Sequence, residues 1–282
     1  EYERAKADYM SKLEKLYNER DKQRSSYYID QYTSNFLENE PIPGIADKYN
    51  TIQQVVNYIP LEAINQLVKG MITDKNRVVA IMGTEKENYS PQADIIALIK
   101  KVDSEKITAY VDNAITEPLM AAMPAKGKIV KEEQNQGATV WTLSNGAKVV
   151  VKPTKFKDDE ILLSGFAPGG SSVIDNKYIS EIKVLDKIFE AIMGESALSA
   201  GGLGKFSKTD LTKVLSGKNV SMNFSIDTYN EAISGKSNVK DLETAMQLLY
   251  LNFTDVRKDQ SAYTSFATRT KGMLTNFGSN PM

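Results

Sequence analysis

Three short stretches of this 282-residue chain carry side chains that could do chemistry. "AGGLGKFS" (200–207) combines glycines, a lysine and a hydroxyl, the ingredients of a phosphate cradle. A P-loop requires G-x-x-x-x-G-K-[ST], yet Phe206 follows Gly204-Lys205 and Ser199 occupies the first glycine position. The dinucleotide fingerprint fails as well, because Ser207 stands where Gly202-x-Gly204 needs a third glycine. A tight loop between helices is the better reading. Asp158, Asp159 and Glu160 could suggest a metal site or an acid/base pair. Adjacent strand residues point to opposite faces, so a solvated hairpin end accounts for them better. Tyr27, Tyr28 and Tyr32 could form a stacking platform, but their helical spacing favours packing in a core or interface.

The residues that are missing exclude more than these suggest. The sequence contains no histidine and no cysteine. Ser-His-Asp and Cys-His arrangements are therefore impossible, as are imidazole–zinc sites, disulfides and iron–sulfur clusters. The residues themselves provide no catalytic, cofactor-binding or metal-binding candidate. Any chemistry of a parent enzyme must lie in another part of it. A net charge of −1, from 35 basic and 36 acidic residues, argues against nucleic acid as a partner. No apolar run approaches the ~20 residues that span a bilayer. The opening residues "EYERAKADYM" are already helical in pattern, without a cap, an initiator Met or a signal-peptide pattern. They give the chain the look of a piece of something longer.

The elements that would hold any site fall into two groups. Residues 1–24 predict a charged amphipathic helix, and Tyr28, Tyr32 and Phe36 a second one that "NEPIPG" (39–44) stops. Ile45 to Val56 predict a third. Pro60 opens a fourth, with Leu61, Ile64, Leu67, Val68 and Met71 on its buried side. "RVVAIMG" (77–83) reads as a buried strand, and Ser90-Pro91 as the cap and first position of a helix using Ile95, Ile96, Ile99 and Val102. Ile107, Ala109 and Val111 alternate as a closing strand. Residues 116–137 show no sustained period and read as an extended linker with little regular structure.

The pattern then starts afresh. Val140–Leu143 and Lys148–Val151 flank Asn145-Gly146, the pair best suited to two consecutive positive φ angles, which predicts a hairpin. "EILLSGF" (160–166) is a further strand. Ile179 to Ile192 give a helix with one apolar stripe. Ser207 with Asp210 caps a shorter helix that ends before Gly217. Val220, Met222, Phe224 and Ile226 alternate as a half-buried strand, and "EAISGKS" returns antiparallel to it. Leu242 to Phe253 and Tyr263 to Met273 predict two last helices. Strands and helices in this order give an α+β fold, with antiparallel sheet packed against helices and the 145–146 hairpin as the first element of that sheet.

Taken together, the motifs resemble one family. "VWTLSNGAKVVVKPTKFKDDEILLSGFAPGGSS" (140–172) is similar to the form "EWTLSNG-x-x-V-x-x-KPT-x-FK-x-DEI" at the start of the second half of a bacterial insulinase/pitrilysin-type zinc peptidase. The likeness extends to "ERDKQRSSYYIDQYTSNFLENEPIPGI" (19–45), "GGLGKFSKTDLTKVLSGK" (201–218), "DLETAMQLLYLNFT" (241–254) and "SNP" (279–281), so it covers essentially the whole chain. Each motif is weak alone; their order and spacing carry the match.

The resemblance implies two similar halves, each of two α+β domains, closing like a clamshell. Residues 1–115 then correspond to the later part of the first half's second domain, 116–137 to the linker between halves, and 138–282 to the third domain. It implies a zinc metallopeptidase as parent, acting on peptide substrates, with an inverted H-x-x-E-H motif in an N-terminal catalytic domain. That domain and a C-terminal fourth domain are the implied partners of this piece, and a periplasmic or otherwise exported location is implied by analogy. No position here matches the zinc motif. Lys183, Asp186 and Lys187 copy its spacing, but protonated lysines cannot replace a histidine pair. The helix carrying them reads as a degenerate counterpart. A second reading is a non-catalytic partner or scaffold subunit of the same family. A third is a two-domain binding module unrelated to peptidases.

Overall fold

The computed structural model describes residues 1–282 apart from 72, 74, 84–86, 109, 113, 114, 174–199 and 278–282. The helix expected over 179–192, with Lys183, Asp186 and Lys187, lies outside the described residues, as does "SNP". Helices and antiparallel sheets combine in an α+β fold. The chain divides into two compact units, 1–53 with 114–282, and 54–113.

The first unit begins with helix α1 (Tyr2–Asn18) and a 3-10 turn, Arg20–Lys22. Helix α2 (Ser25–Glu38) ends at Asn39, whose left-handed φ of 58° lets its N–H return to the Asn35 carbonyl before the prolines. Helix α3 (Ile45–Val55) follows, and Tyr49 stacks on Tyr17 with ring centroids 4.7 Å apart.

In the second unit, helices α4 (Leu61–Met71) and α5 (Gln92–Ser104) form where the periodicity predicts them. Pro91, not Ser90, takes the N-cap position of α5, with no side-chain cap bond. The expected strands at 77–83 and at 107–111 are absent among the described residues, which offer neither run a partner strand. The stripe Leu61, Ile64, Leu67, Val68 and Met71 faces solvent instead of a core, with exposures from 38% to 71%.

Two three-stranded antiparallel sheets organise the rest of the first unit. Strands β1 (Ile129–Asn135), β2 (Ala138–Leu143) and β3 (Lys148–Val151) run in order. The expectation of little regular structure through 116–137 fails at β1, which pairs with β2 and is tied by the Trp141 Nε1–H bond to Glu132, 2.9 Å. The two consecutive positive φ angles sit at Gln136 (50°) and Gly137 (75°), between β1 and β2. At the Asn145-Gly146 hairpin only Gly146 is left-handed (φ 86°). There the Gly146 N–H bonds the Leu143 carbonyl, and Asn145 Oδ1 accepts from the Ala147 N–H at 3.1 Å. The four-residue loop from Ser144 to Ala147 needs one left-handed glycine, whereas the two-residue β1–β2 turn needs two such positions.

The second sheet has the order β4-β6-β5, from β4 (Ile161–Pro168), β5 (Val220–Ile226) and β6 (Asn230–Ser237). It is separate from the first, so the 145–146 hairpin does not open it, contrary to expectation. The intervening segment 155–160 is drawn instead onto the 3-10 turn, where Lys22 bonds the Lys155 carbonyl and Asp158.

Helix α6 (Lys208–Val214) carries the expected capping box: the Asp210 N–H donates to Ser207 Oγ at 3.1 Å, and the Ser207 N–H to Asp210 Oδ2 at 3.1 Å. Ser207→Ala is expected to lower stability by about 0.5–2 kcal/mol. A urea midpoint that does not move would remove the cap from the account. Helix α7 (Leu242–Thr254) covers β5, setting Phe253 edge-on to Phe224, and α8 (Gln260–Phe277) follows. The core lies between α7, β5 and the glycine loop, where Leu119, Leu203, Phe206, Leu248 and Leu251 are buried together.

Candidate functional site

The glycine loop 201–207 shows how a phosphate-cradle composition can serve packing. Several of its N–H groups are already committed: Leu203 donates to the Phe206 carbonyl (3.0 Å), Phe206 to Leu203 (2.9 Å) and Gly204 to Asp255 (2.7 Å). A loop that holds phosphate presents such groups to the ligand. Gly202, at φ 97°, allows the close approach, since a Cβ there would stand 2.2 Å from the Phe206 carbonyl oxygen. Phe206 is fully buried.

Arg257 clamps the loop from outside. Its N–H bonds the Gly202 carbonyl at 3.1 Å and Nη1 bonds the Lys205 carbonyl at 3.1 Å, while Nη2 pairs with Asp259 at 3.1 Å. Asp259 also accepts from the N–H groups of Ser261 and Ala262 at the start of α8. The Ala262 N–H, then Arg257 and Ser261, lower its carboxyl pKa to about 2. Lys205 is spent on Glu117 and on the face of the Phe206 ring. The loop is an internal anchor.

The acidic run at 158–160 is the richest ionisable cluster among the described residues. Lys157 Nζ lies 3.0 Å from Glu19 and 3.4 Å from Glu160, and Lys236 pairs with Glu160. Lys22 pairs with Asp158 at 3.2 Å. Asp159 accepts from Asn18 Nδ2 and from the Val239 N–H, each at 3.1 Å. A charged pocket of about 530 Å³ opens beside the cluster, lined by Glu19, Arg24, Asp30, Lys157, Glu160 and Lys236 among others.

The electrostatics run against catalysis. The hydrogen bond from Lys236 is the largest influence on Glu160 and outweighs its burial, so the carboxyl pKa falls below the usual range. The hydrogen bond to Glu19 likewise raises the Lys157 pKa above the usual ammonium value. A general acid needs a raised carboxyl and a lysine base a lowered ammonium, so both shifts favour permanent charge. The cluster ties α1 and its 3-10 turn to β4 and β6. The acidic run is visible in the sequence, but its pairing is not, because Glu19 and Lys236 lie far along the chain from Lys157 and Glu160.

No group of three His, Cys, Asp or Glu side chains able to hold a metal occurs among the described residues. The residues do not fit zinc: the chain has no His or Cys, and the clustered carboxylates at 19 and 158–160 are engaged by lysines and backbone or amide donors. Of the tyrosines at 27, 28 and 32, Tyr28 and Tyr32 are exposed, so of the expected core or interface packing the core alternative falls for these two. Tyr27 and Tyr28 meet edge to face at 5.3 Å.

No family model matches the chain. In sequence it is similar to an Arabidopsis thaliana protein described as "Zinc protease PQQL-like", with 26% identity over 296 residues, covering 96% of this chain and 27% of that protein. In structure it is similar to the periplasmic protease PqqL of Escherichia coli, with a TM-score of 0.51 and 19% identity, covering 98% of this chain and 30% of that one. The ferredoxin protease FusC aligns at a TM-score of 0.46 and 14% identity, covering 86% of this chain and 27% of that one. The chain thus spans just over a quarter of the length of the protein it matches in sequence. These likenesses support the insulinase/pitrilysin-type resemblance read from the motifs.

Proposed function

We propose that this chain is the non-catalytic middle of a clamshell zinc metallopeptidase, forming part of the wall of a chamber that encloses peptide substrates. The observation that carries this reading is the 26% identity to a zinc protease, which runs through 96% of the chain and so takes in both units. In the parent, zinc would polarise the scissile carbonyl and activate water. This chain's residues hold none of that machinery; they shape and close the space around it. Residues up to 115 belong in this proposal to the end of the first half, and the second half follows the connector. An exported location accompanies the proposal.

The connector is shorter than its composition suggests. Strand β1 takes up 129–135, and Leu119 is buried in the core of the first unit with Ile115 and Met120 against it. The extended remainder, 121–128, is "AAMPAKGK", with few large apolar residues. Torsion changes there can part the halves only together with release of the bonds that α1 and its 3-10 turn make to 155–160 and to Gly217 and Asn219.

The test uses the complete natural protein. It is expected to carry one zinc per chain, to cleave unfolded peptides and to lose that activity on chelation, with H-x-x-E-H upstream of Glu1. The 1–282 piece is expected to take up no zinc. A complete protein without zinc or cleavage would favour the partner-subunit reading, and zinc held by the 1–282 piece would defeat the wall role.

A further inference from the structure

The charged pocket of about 530 Å³ beside the 155–160 segment lies wholly within the first unit, and the ion pairs around it leave part of its wall unused. Four cations and three carboxylates line it. Lys157 is taken by Glu19 and Glu160, Lys236 by Glu160 and Lys22 by Asp158. Arg24 and Asp30 remain, one charge of each sign. Neither side chain has an ion-pair or hydrogen-bond partner among the described residues.

The two free charges sit in different surroundings. Arg24 holds the N-cap position of α2, which has no side-chain cap bond and no acidic residue in its first turn. Ser26 of that turn also lines the pocket. The first N–H groups of a helix have no partner inside it, and with the helix dipole they attract an anion. A guanidinium, a hydroxyl and uncapped N–H groups are a donor set for a carboxylate. Glu19 calls for the reverse. Its Oε2 accepts from Lys157 at 3.0 Å, but Oε1 is buried without a hydrogen-bond partner, on a side chain 8% exposed. A buried carboxylate oxygen without a donor is costly, and a cationic N–H group relieves it. Asp30 lies three residues beyond Tyr27, on the same face of α2, and adds a free carboxylate.

We propose that this pocket binds a small zwitterion, an α-amino acid or a peptide of two or three residues, with its carboxylate at Arg24 and the start of α2 and its ammonium at Asp30 and Glu19. A lone anion would leave Asp30 and Glu19 unanswered, and a lone cation would leave Arg24 so. The volume falls within the roughly 300–1,000 Å³ of small-ligand sites. Half-buried Tyr27 and Leu162, which is 71% exposed, offer an apolar wall to a ligand side chain. The pocket belongs to this chain whether or not the parent is a peptidase, so failure of that reading leaves it intact.

The test titrates the complete natural protein by calorimetry with L-leucine and with L-alanyl-L-leucine, whose integrity is checked by chromatography. The N-acetyl and C-amide forms of each, which keep one charge, are titrated beside them. At least one zwitterion is expected to saturate a single site, and its singly charged forms to bind at least about 10-fold more weakly. The tighter of the two zwitterions identifies the source, free amino acid or short peptide. Arg24→Gln is expected to weaken the zwitterion and its N-acetyl form about 10-fold or more and to spare the amide form; Asp30→Asn is expected to do the converse. Both side chains are exposed, so neither substitution threatens the fold. Saturating ligand is expected to slow hydrogen exchange at 25–28, which localises it to the start of α2. Absence of saturation by either zwitterion would overturn the proposal, as would equal affinity for a singly charged form. Affinities that both substitutions leave unchanged would place the binding elsewhere and overturn it too.

Discussion

Phe206→Ala is expected to destabilise the first unit by about 3–5 kcal/mol, the range for removing a fully buried aromatic ring. The ring is completely buried among Leu119, Leu203, Leu248 and Leu251, and it brings together a loop, α7 and the segment before β1 that carries Leu119. The surroundings are poorly able to collapse into the space. Backbone bonds between Leu203 and Phe206 and from Gly204 to Asp255 hold the loop at its present depth, and Arg257 grips it from the other side. Phe36→Ala is the control, because that ring is 87% exposed and its removal is expected to change stability by no more than about 0.5 kcal/mol. Stability is read from urea dependence of hydrogen exchange in α7, which reports this unit and not 54–113. Equal effects of the two substitutions would show that the glycine loop is not an anchor and would reopen the question of a ligand there.

What the sequence showed well was short-range. The capping box at Ser207 and Asp210, the alternation of β5 from Val220 to Phe224 and the stop at Asn39 each depend on residues within a few positions of one another, and each forms as read, while Ile226 at the end of β5 is exposed. What it hid depended on distance or on competition between similar signals. Asn145-Gly146 carried the stronger hairpin signal, yet the turn with two left-handed residues is Gln136-Gly137, because loop length decides the turn type. Strand β1 was hidden by its composition: "IVKEEQN" is exposed along its whole length and has no apolar face to alternate. Leu119 looked like linker, since nothing nearby in sequence indicates the core 84 residues further on at Leu203. The periodicity of α4 and α5 predicts apolar stripes on a buried side, whereas the described residues leave most of those side chains exposed. The candidate cluster was half legible. Its acidic run stood out, but Glu19, Asn18 and Lys236, which determine its character, belong to elements remote in the chain.

That cluster gives the second large expected effect. Lys157→Met leaves the Glu19 carboxylate, 8% exposed at its side chain, without its cation. Breaking a buried pair in this way costs roughly 3–5 kcal/mol, and the 29% exposure of Lys157 sets the expectation toward the lower end of that range. The Glu19 Oε1 atom is buried without a hydrogen-bond partner, so the side chain has little to compensate the loss. The double variant Glu19→Gln with Lys157→Met removes both charges and is expected to recover a large part of the loss, giving a coupling energy above about 1 kcal/mol in a double-mutant cycle. The pH dependence has a defined sign. Glu160 is lowered from its ordinary 4.5, so its contribution is present above that value and is lost as pH falls through the depressed pKa. Lys157 is raised from its ordinary 10.5, so its contribution is complete below that value and is lost as pH climbs through the raised pKa. The tie between α1 and the 155–160 segment is therefore strongest from about pH 4.5 to 10.5 and weakens outside that window. Hydrogen exchange at Asn18–Lys22, followed across pH in the parent and in Lys157→Met, measures it. If the variant were as stable as the parent and equally insensitive to acid, the cluster would be a solvated charge run, and the contact between α1 and the second sheet would have to rest on the bonds of Ser11 and Asp8 to Asn219 and Gly217.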